Sequence, residues 1–256
     1  MYKRLAFVND MKDSILIKSR NGREIYYRDS FVFKKYYFCR KNISSMLKQS
    51  FPFFGEVKGN NIAAFLDVSV PALKSYYFNF FDLSFTLVFD KIDNGTTVKG
   101  LLDSQEFAPN LIRNILDAIK KLVEKRVFHS DIHSDNLFIL DDGMISFIDL
   151  ESFDYFQCEQ SSSFIIMCAH FWSAEIEKAI DFLEYRRLVA DIAITFFLAN
   201  NEDMEIFDFF AKSKASSLVR KARGDFISGN LSQSSFLNRL RKQEEIKSID
   251  SKACAH

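Results

Sequence analysis

The sequence predicts an α+β fold in two parts, a small antiparallel sheet followed by a larger, mainly helical region. Three observations carry that expectation. Short apolar runs broken by turn formers fill most of the first hundred residues, a helical period takes over after them, and a short hairpin lies between two helical stretches. With 256 residues, 48% of them hydrophobic, the chain can bury a sizeable core. The expected division is residues 1–92 for the sheet part and 93–256 for the helical part.

The elements follow in order. Ser14 to Ile17 and Glu24 to Tyr27 flank Arg20-Asn21-Gly22, and Asn-Gly between two such runs is a hairpin signal. Phe31-Val-Phe33 continues the sheet. One helix is expected between Glu56 and Leu66, with Gly59 weakening its first turn. Ser75 to Phe81 and Phe85 to Phe89 read as two further strands joined across Asp82-Leu83-Ser84. Leu111, Ile112, Ile115, Leu116, Ile119, Leu122 and Val123 then recur at helical spacing behind Pro109, which predicts a long amphipathic helix ending near Arg126. Phe138 to Leu140, Asp141-Asp142-Gly143 and Met144 to Ile148 read as a second tight hairpin. Residues 174–210 look helical again, and from Lys212 onward the chain is basic and Ser-rich with a weaker period.

Thirty-four basic residues cancel thirty-four acidic ones, which excludes a nucleic-acid binder working by bulk charge. The zero hides a pattern: 13 basic against 5 acidic in residues 1–60, 11 against 25 in 61–210, and 10 against 4 in 211–256. Cys39, Cys158, Cys168 and Cys254 lack metal or C-x-x-C spacing and read as reduced thiols of a cytosolic protein. The first residues lack the apolar stretch and cleavage site of a secretory signal. No stretch approaches the roughly 20 apolar residues of a membrane span. A soluble cytoplasmic chain is expected, attached at most to a membrane surface.

The most informative run is His129-Ser-Asp131-Ile-His133-Ser-Asp-Asn136, with Asp149 thirteen residues beyond Asn136. Phosphoryl transfer needs a carboxylate to orient and deprotonate the acceptor hydroxyl, and oxygen ligands for the Mg²⁺ that neutralises a triphosphate. An Asp, an amide five residues later and a second Asp across a hairpin provide such a set. These separations resemble the catalytic loop and metal-binding Asp of the protein-kinase-like superfamily. The resemblance implies a bilobal fold, ATP and Mg²⁺ as cofactors, Asp131 as the acceptor-orienting carboxylate, and Asn136 and Asp149 as metal ligands.

His133 stands where protein Ser/Thr kinases keep a lysine. The resulting loop is similar to that of kinases of small molecules and sugars, such as aminoglycoside and choline phosphotransferases. His133 either contacts the acceptor or the transferred phosphoryl group, or shapes the loop by a hydrogen bond; His129 reads as structural. By the same resemblance, Lys34 or its neighbour Lys35 would reach the α and β phosphates, with Lys34 favoured. Glu56 would be the helix-borne partner of that lysine, or else an exposed first-turn residue. Leu87 to Gly95 resembles the strand and hinge that hold adenine, placing Phe89 to Lys91 beside the base. Asp191 would hydrogen-bond the catalytic loop from the helix below it. Three features depart from the pattern. No G-x-G-x-x-G covers the phosphates, Leu150-Glu151 follows Asp149 in place of Phe-Gly, and no A-P-E or long activation segment follows.

Several details together resemble the bacterial lipopolysaccharide core heptose kinases: Phe31 to Lys41, the Ser50 to Gly55 run, the Asp-Asp-Gly turn, Ile148-Asp-Leu150 and the Asp191 helix. That family implies phosphorylation of an inner-core heptose hydroxyl on a glycolipid, at the cytoplasmic face of the inner membrane. The basic tail (Lys212, Lys214, Arg220, Lys221, Arg223, Arg239, Arg241, Lys242) would face an anionic glycolipid or membrane surface, or else be a solvated helix face. The alternatives are a small-molecule phosphotransferase, a protein-kinase-like effector and a nucleotide-binding pseudokinase.

Overall fold

A computed structural model describes residues 14–20, 22–38, 51–173, 175–212 and 217–253. Asn21, Cys39 to Ser50, Ala174, Lys214 and Cys254 lie outside the described residues. The chain opens with β1 (Ile15–Arg20), β2 (Arg23–Arg28) and β3 (Phe31–Tyr37), then α1 (Pro52–Phe65), β4 (Leu73–Asn79), β5 (Ser84–Asp90) and β6 (Gly95–Thr97). The first five strands form one antiparallel sheet in the order β1-β2-β3-β5-β4. Gly22, at φ 78°, turns β1 into β2, a conformation that favours a residue without a Cβ.

Successive strand residues point to opposite faces. The register pairs Val32 with Phe89, Lys34 with Leu87 and Tyr36 with Phe85, so these six share one face. Phe51 and Phe53 pack on that face in a core with Tyr36, Leu73, Leu87 and Phe89. Phe53 and Phe85 lie 4.7 Å apart between ring centroids. α1 begins at Pro52, earlier than expected, because proline is suited to a first helical turn. Glu56 therefore sits in the second turn, and it is fully buried where exposure was one of two expectations. Gly59 lies mid-helix, at the closest approach to the chain after Asp149: a Cβ there would stand 1.9 Å from the Leu150 carbonyl oxygen.

Next come α2 (Val98–Asp103), α3 (Asn110–Glu124) and β7 (Val127–His129). The expected stripe of α3 is its inner face, with Ile112, Ile115, Leu116, Ile119, Leu122 and Val123 all buried. β8 (Leu137–Leu140) and β9 (Ile145–Phe147) form the second hairpin, turned by Gly143 at φ 80°, and join β6 in a three-stranded sheet. The rest is helical: α4 (Gln160–Phe171), α5 (Phe182–Phe197), α6 (Asn201–Lys212), α7 (Ser217–Ile227) and α8 (Gln233–Ala253). The small sheet followed by helices is the α+β architecture that the sequence predicts.

The helical region adds to expectation in three places. The range 174–210 that reads as helical holds α5 and the start of α6, parted where Leu198 turns left-handed at φ 55° and α6 begins at Asn201. The weakly periodic tail forms α7 and α8, which meet through Phe226 stacked on Phe236 at 4.6 Å. α4 went unread because ten of its twelve residues are buried, leaving no polar stripe to set a period. It packs against α3, α5 and α6.

The chain divides into two compact units, though not by one cut after residue 92. One takes the chain through Thr97 together with Asn136–Phe153, so the β8–β9 hairpin belongs with the N-terminal sheet. The other takes Val98–Asp135 and the chain from Asp154 onward.

Candidate active site

In the first unit the pleat of β3 separates its two lysines. Lys34 is ion-paired with Glu56 of α1, and its Nζ lies 3.2 Å from Oδ1 of Asp149, just beyond β9. Lys35 points the other way, pairs with Asp82 and sits over the Tyr37 ring at 4.8 Å. Tyr36 Oη donates to Glu56 Oε1 at 3.3 Å. The structure thus brings Lys34, Glu56 and Asp149 together and leaves Lys35 out. Two residues that sequence reasoning missed join them: Arg23 Nη1 lies 3.4 Å from Asp149 Oδ1 and 3.5 Å from Glu151 Oε1. Each had a faint signal, Arg23 as the residue after the only glycine of the first hairpin, and Glu151 as a departure two places beyond Asp149.

Burial and charge set the protonation of this cluster. Burial opposes the charge on Lys34, but the Glu56 and Asp149 carboxylates outweigh it and raise its pKa. Burial alone would raise Asp149; Lys34 and then Arg23 pull it down to about 2. Glu151 goes the other way, because burial and the Asp149 charge outweigh Arg23 and push it up to about 7. Three carboxylates thus face two cations. Oε2 of Glu56 and Oε2 of Glu151 are buried without a hydrogen-bond partner among the described residues.

An ionised Asp149 beside carboxylate oxygens that lack a partner suits an added cation. The backbone ties Asn136 to the same place, since the Ile148 N–H donates to the Asn136 carbonyl at 3.0 Å. An amide and a carboxylate are hard oxygen donors that fit Mg²⁺, which binds through one or two carboxylates plus substrate phosphates. No group of three or more His, Cys, Asp or Glu arranged to hold a metal is present among the described residues. Asp149 adopts φ 60°, which few residue types other than Asn and Asp tolerate without glycine.

Beside this cluster the first unit forms a half-open cavity of about 210 Å³, far larger than a packing void. Ile17, Ile25 and Val32 line it from the sheet, Phe138 and Ile148 from the β8–β9 hairpin, and Lys34, Glu56 and Asp149 at its charged end. Phe89, Asp90, Lys91 and Ile92 form an edge. There the Asp90 N–H donates to Ala72 at 3.0 Å and the Lys91 N–H to Ser30 at 2.8 Å, while the Ile92 N–H has no partner among the described residues. The Lys91 side chain is paired with Asp93 at 2.6 Å.

In the second unit, the segment before Asn136 is held by its own histidines. His129 is fully buried; its N–H donates to Met167 Sδ at 3.3 Å, and its Nδ1 accepts the Asp131 N–H at 3.2 Å. His133 Nδ1 accepts the Asp135 N–H at 3.2 Å, which places the proton of the neutral ring on Nε2, 3.6 Å from Asp131 Oδ2. The loop-shaping hydrogen bond, one of the two roles the sequence allows His133, is therefore present. The Asp131 side chain is 57% exposed. Ser134 Oγ donates to Glu175 at 3.0 Å and anchors the loop's end.

Asp191 is a correction. α5 turns Tyr185, Val189 and Ala193 inward at every fourth residue, so Asp191 falls on the far face and is exposed. The buried acid is Asp203 of α6, which accepts from Ser162 Oγ at 2.6 Å, Gln233 at 3.2 Å and the Asn200 N–H at 3.1 Å. His170, which carried no sequence signal, accepts from Arg223 Nη1 at 2.7 Å; burial and that guanidinium drive it down to about 3.

No family model and no curated protein matches the sequence. Among solved structures the chain is similar to monomeric WbdD, at 16% identity and a TM-score of 0.49, over 75% of this chain and 45% of that one. It is likewise similar to the bifunctional kinase-methyltransferase WbdD (17% identity, TM-score 0.49, 82% and 47% covered). A third match is WbdD crystallised with a kinase inhibitor (17%, 0.48, 83% and 48%). The chain spans about half the length of these structures, and no helix among its described residues is long and apolar enough to cross a membrane.

Proposed function

We propose that this chain is an ATP-dependent kinase that phosphorylates a sugar hydroxyl, with an inner-core heptose of lipopolysaccharide as the acceptor that the sequence resemblance implies. The observation that carries the reading is the Lys34–Glu56–Asp149 cluster at the charged end of an apolar cavity. Adenine would enter between Ile17, Ile25 and Val32 on one side and Phe138 and Ile148 on the other, with the Ile92 N–H as a backbone donor at the edge. Lys34, held straight by Glu56, would reach the α and β phosphates. Bound Mg²⁺, held by Asn136 and Asp149, would neutralise the triphosphate.

Asp131 would orient the acceptor hydroxyl and take its proton as the hydroxyl oxygen bonds to the γ-phosphorus and the bond to the β–γ bridging oxygen breaks. His133, through the loop hydrogen bond to Asp135 and its Nε2 beside Asp131, would hold that carboxylate in place. The acceptor is a glycolipid in this reading, and the working place is the cytoplasmic face of the inner membrane, with the basic tail toward anionic lipid. Incubating the protein with labelled ATP·Mg²⁺ and separate fractions of core glycolipid, aminoglycosides and protein tests it. Label in the glycolipid that vanishes in Asp131→Ala, with folding retained, is the expected result. Label in another fraction moves the acceptor, and full activity in Asp131→Ala overturns the mechanism.

A further inference from the structure

Without a glycine-rich turn, the phosphate end of the cavity needs donors from elsewhere. Arg23 opens β2 directly after Gly22 and pairs with Tyr36 across the ladder, which sets it on the same face as Ile25 of the cavity wall and Lys34. Arg23 and Lys34 converge on a single atom, Asp149 Oδ1, at 3.4 and 3.2 Å.

The Arg23 contacts are not those of a committed structural ion pair. A guanidinium has five N–H donors in a fixed fork. In two ion pairs of the helical unit that fork is filled: Arg186 holds Asp208 at 2.8 and 3.1 Å, and Arg241 holds Glu205 at 2.6 and 2.7 Å. Arg23 uses Nη1 alone, at 3.4 and 3.5 Å, and its Nε and Nη2 have no partner among the described residues. Its side chain is also twice as exposed as that of Lys34, 24% against 12%. Arg23 does not itself line the cavity but is held by long contacts behind Asp149, which does; its guanidinium lies 6.0 Å over the Tyr36 ring, and its Nε–Nη2 edge has no partner among the described residues.

We propose that Arg23 is a phosphate ligand of the bound nucleotide, supplying through its guanidinium fork the contacts that a glycine-rich turn supplies through backbone N–H groups. The inference rests on the nucleotide reading of the cavity. On binding, the fork exchanges two long contacts to Asp149 and Glu151 for shorter, charge-assisted ones to phosphate oxygens, while Lys34 keeps Asp149 paired.

Calorimetric titration of the full chain with ATP·Mg²⁺ and, separately, with adenosine tests it. Arg23→Ala is expected to weaken ATP·Mg²⁺ roughly 10- to 100-fold and to leave adenosine within about twofold. Arg23→Lys should recover part of the loss, a point charge replacing the fork. Should Arg23→Ala not yield folded protein, Arg23→Gln is read in the same way. Unchanged ATP·Mg²⁺ affinity, or an equal loss of adenosine, overturns the assignment and leaves the nucleotide reading standing. If the parent protein binds neither ligand, the nucleotide reading itself falls, and the Arg23 assignment with it.

Discussion

Gly59→Ala should destabilise this protein, although alanine inside a helix ordinarily gains about 1 kcal/mol over glycine. The added Cβ would stand 1.9 Å from the Leu150 carbonyl oxygen, 2.8 Å from its carbonyl carbon and 2.9 Å from its Cβ. Contacts under 3.0 Å are essentially never seen for a real Cβ, so α1 and the chain after Asp149 must part by at least 1.1 Å. Two of the three opposing atoms are backbone, so no rotamer change relieves the clash. Overpacking of this kind costs about 1–3 kcal/mol, and this geometry falls at the severe end. After the helical gain is subtracted, a net loss of about 2 kcal/mol is expected. The shift also carries Glu56, one turn earlier on α1, away from Lys34. Gly224→Ala is the control: nothing lies within 4 Å of its Cβ position on α7, so it should gain about 0.5–1 kcal/mol. Urea denaturation followed by circular dichroism measures both. A Gly59→Ala protein as stable as the parent would refute the close-approach argument.

Three further outcomes follow from the same contacts. Lys34→Met strands Glu56 and Asp149 in a buried site and should cost about 3–5 kcal/mol, whereas Lys34→Met with Glu56→Leu should recover much of it; a double-mutant cycle that shows no coupling contradicts the pairing. Glu151 has a folded pKa near 7 against an ordinary 4.5, so between those values the folded protein binds a proton that the unfolded chain has lost. Its contribution therefore makes stability fall as pH rises from 4.5 to 7, by about 2–3 kcal/mol at roughly 1.4 kcal/mol per pH unit. Glu151→Gln should flatten that slope, and an unaltered pH profile of unfolding would count against it. Asp203→Ala removes the acceptor for Ser162, Gln233 and the Asn200 N–H at once. A loss of about 2–4 kcal/mol is expected in thermal or chemical unfolding; a loss under about 0.5 kcal/mol would show those bonds to be dispensable.

What could be read from the chain alone was whatever reports on one-sided burial or on local turns. The stripe of α3 predicts its buried face at every position but Leu111, which is half-buried, and Gly22 and Gly143 mark hairpin turns that the backbone makes with positive φ. The Asp131, Asn136 and Asp149 spacing is likewise local. α4 escaped because burial on all sides erases the period, and Asp191 was misplaced because a lone acid among apolar residues does not reveal which face of its helix turns inward.

The sequence by itself determined the α+β order of elements and the candidate loop, since turn chemistry and hydrophobic period act over a few residues. Tertiary structure alone decided which of Lys34 and Lys35 meets Glu56 and Asp149, because that depends on which face of β3 receives α1, a matter of cross-strand register. It decided that Glu56 is buried, because Phe51, Phe53 and Gly59 seat α1 against the sheet and against Leu150. And it brought Arg23 to Asp149 across 126 residues of chain. Contacts at that separation leave no local pattern, which is why the charged end of the cavity became legible only once the chain had folded.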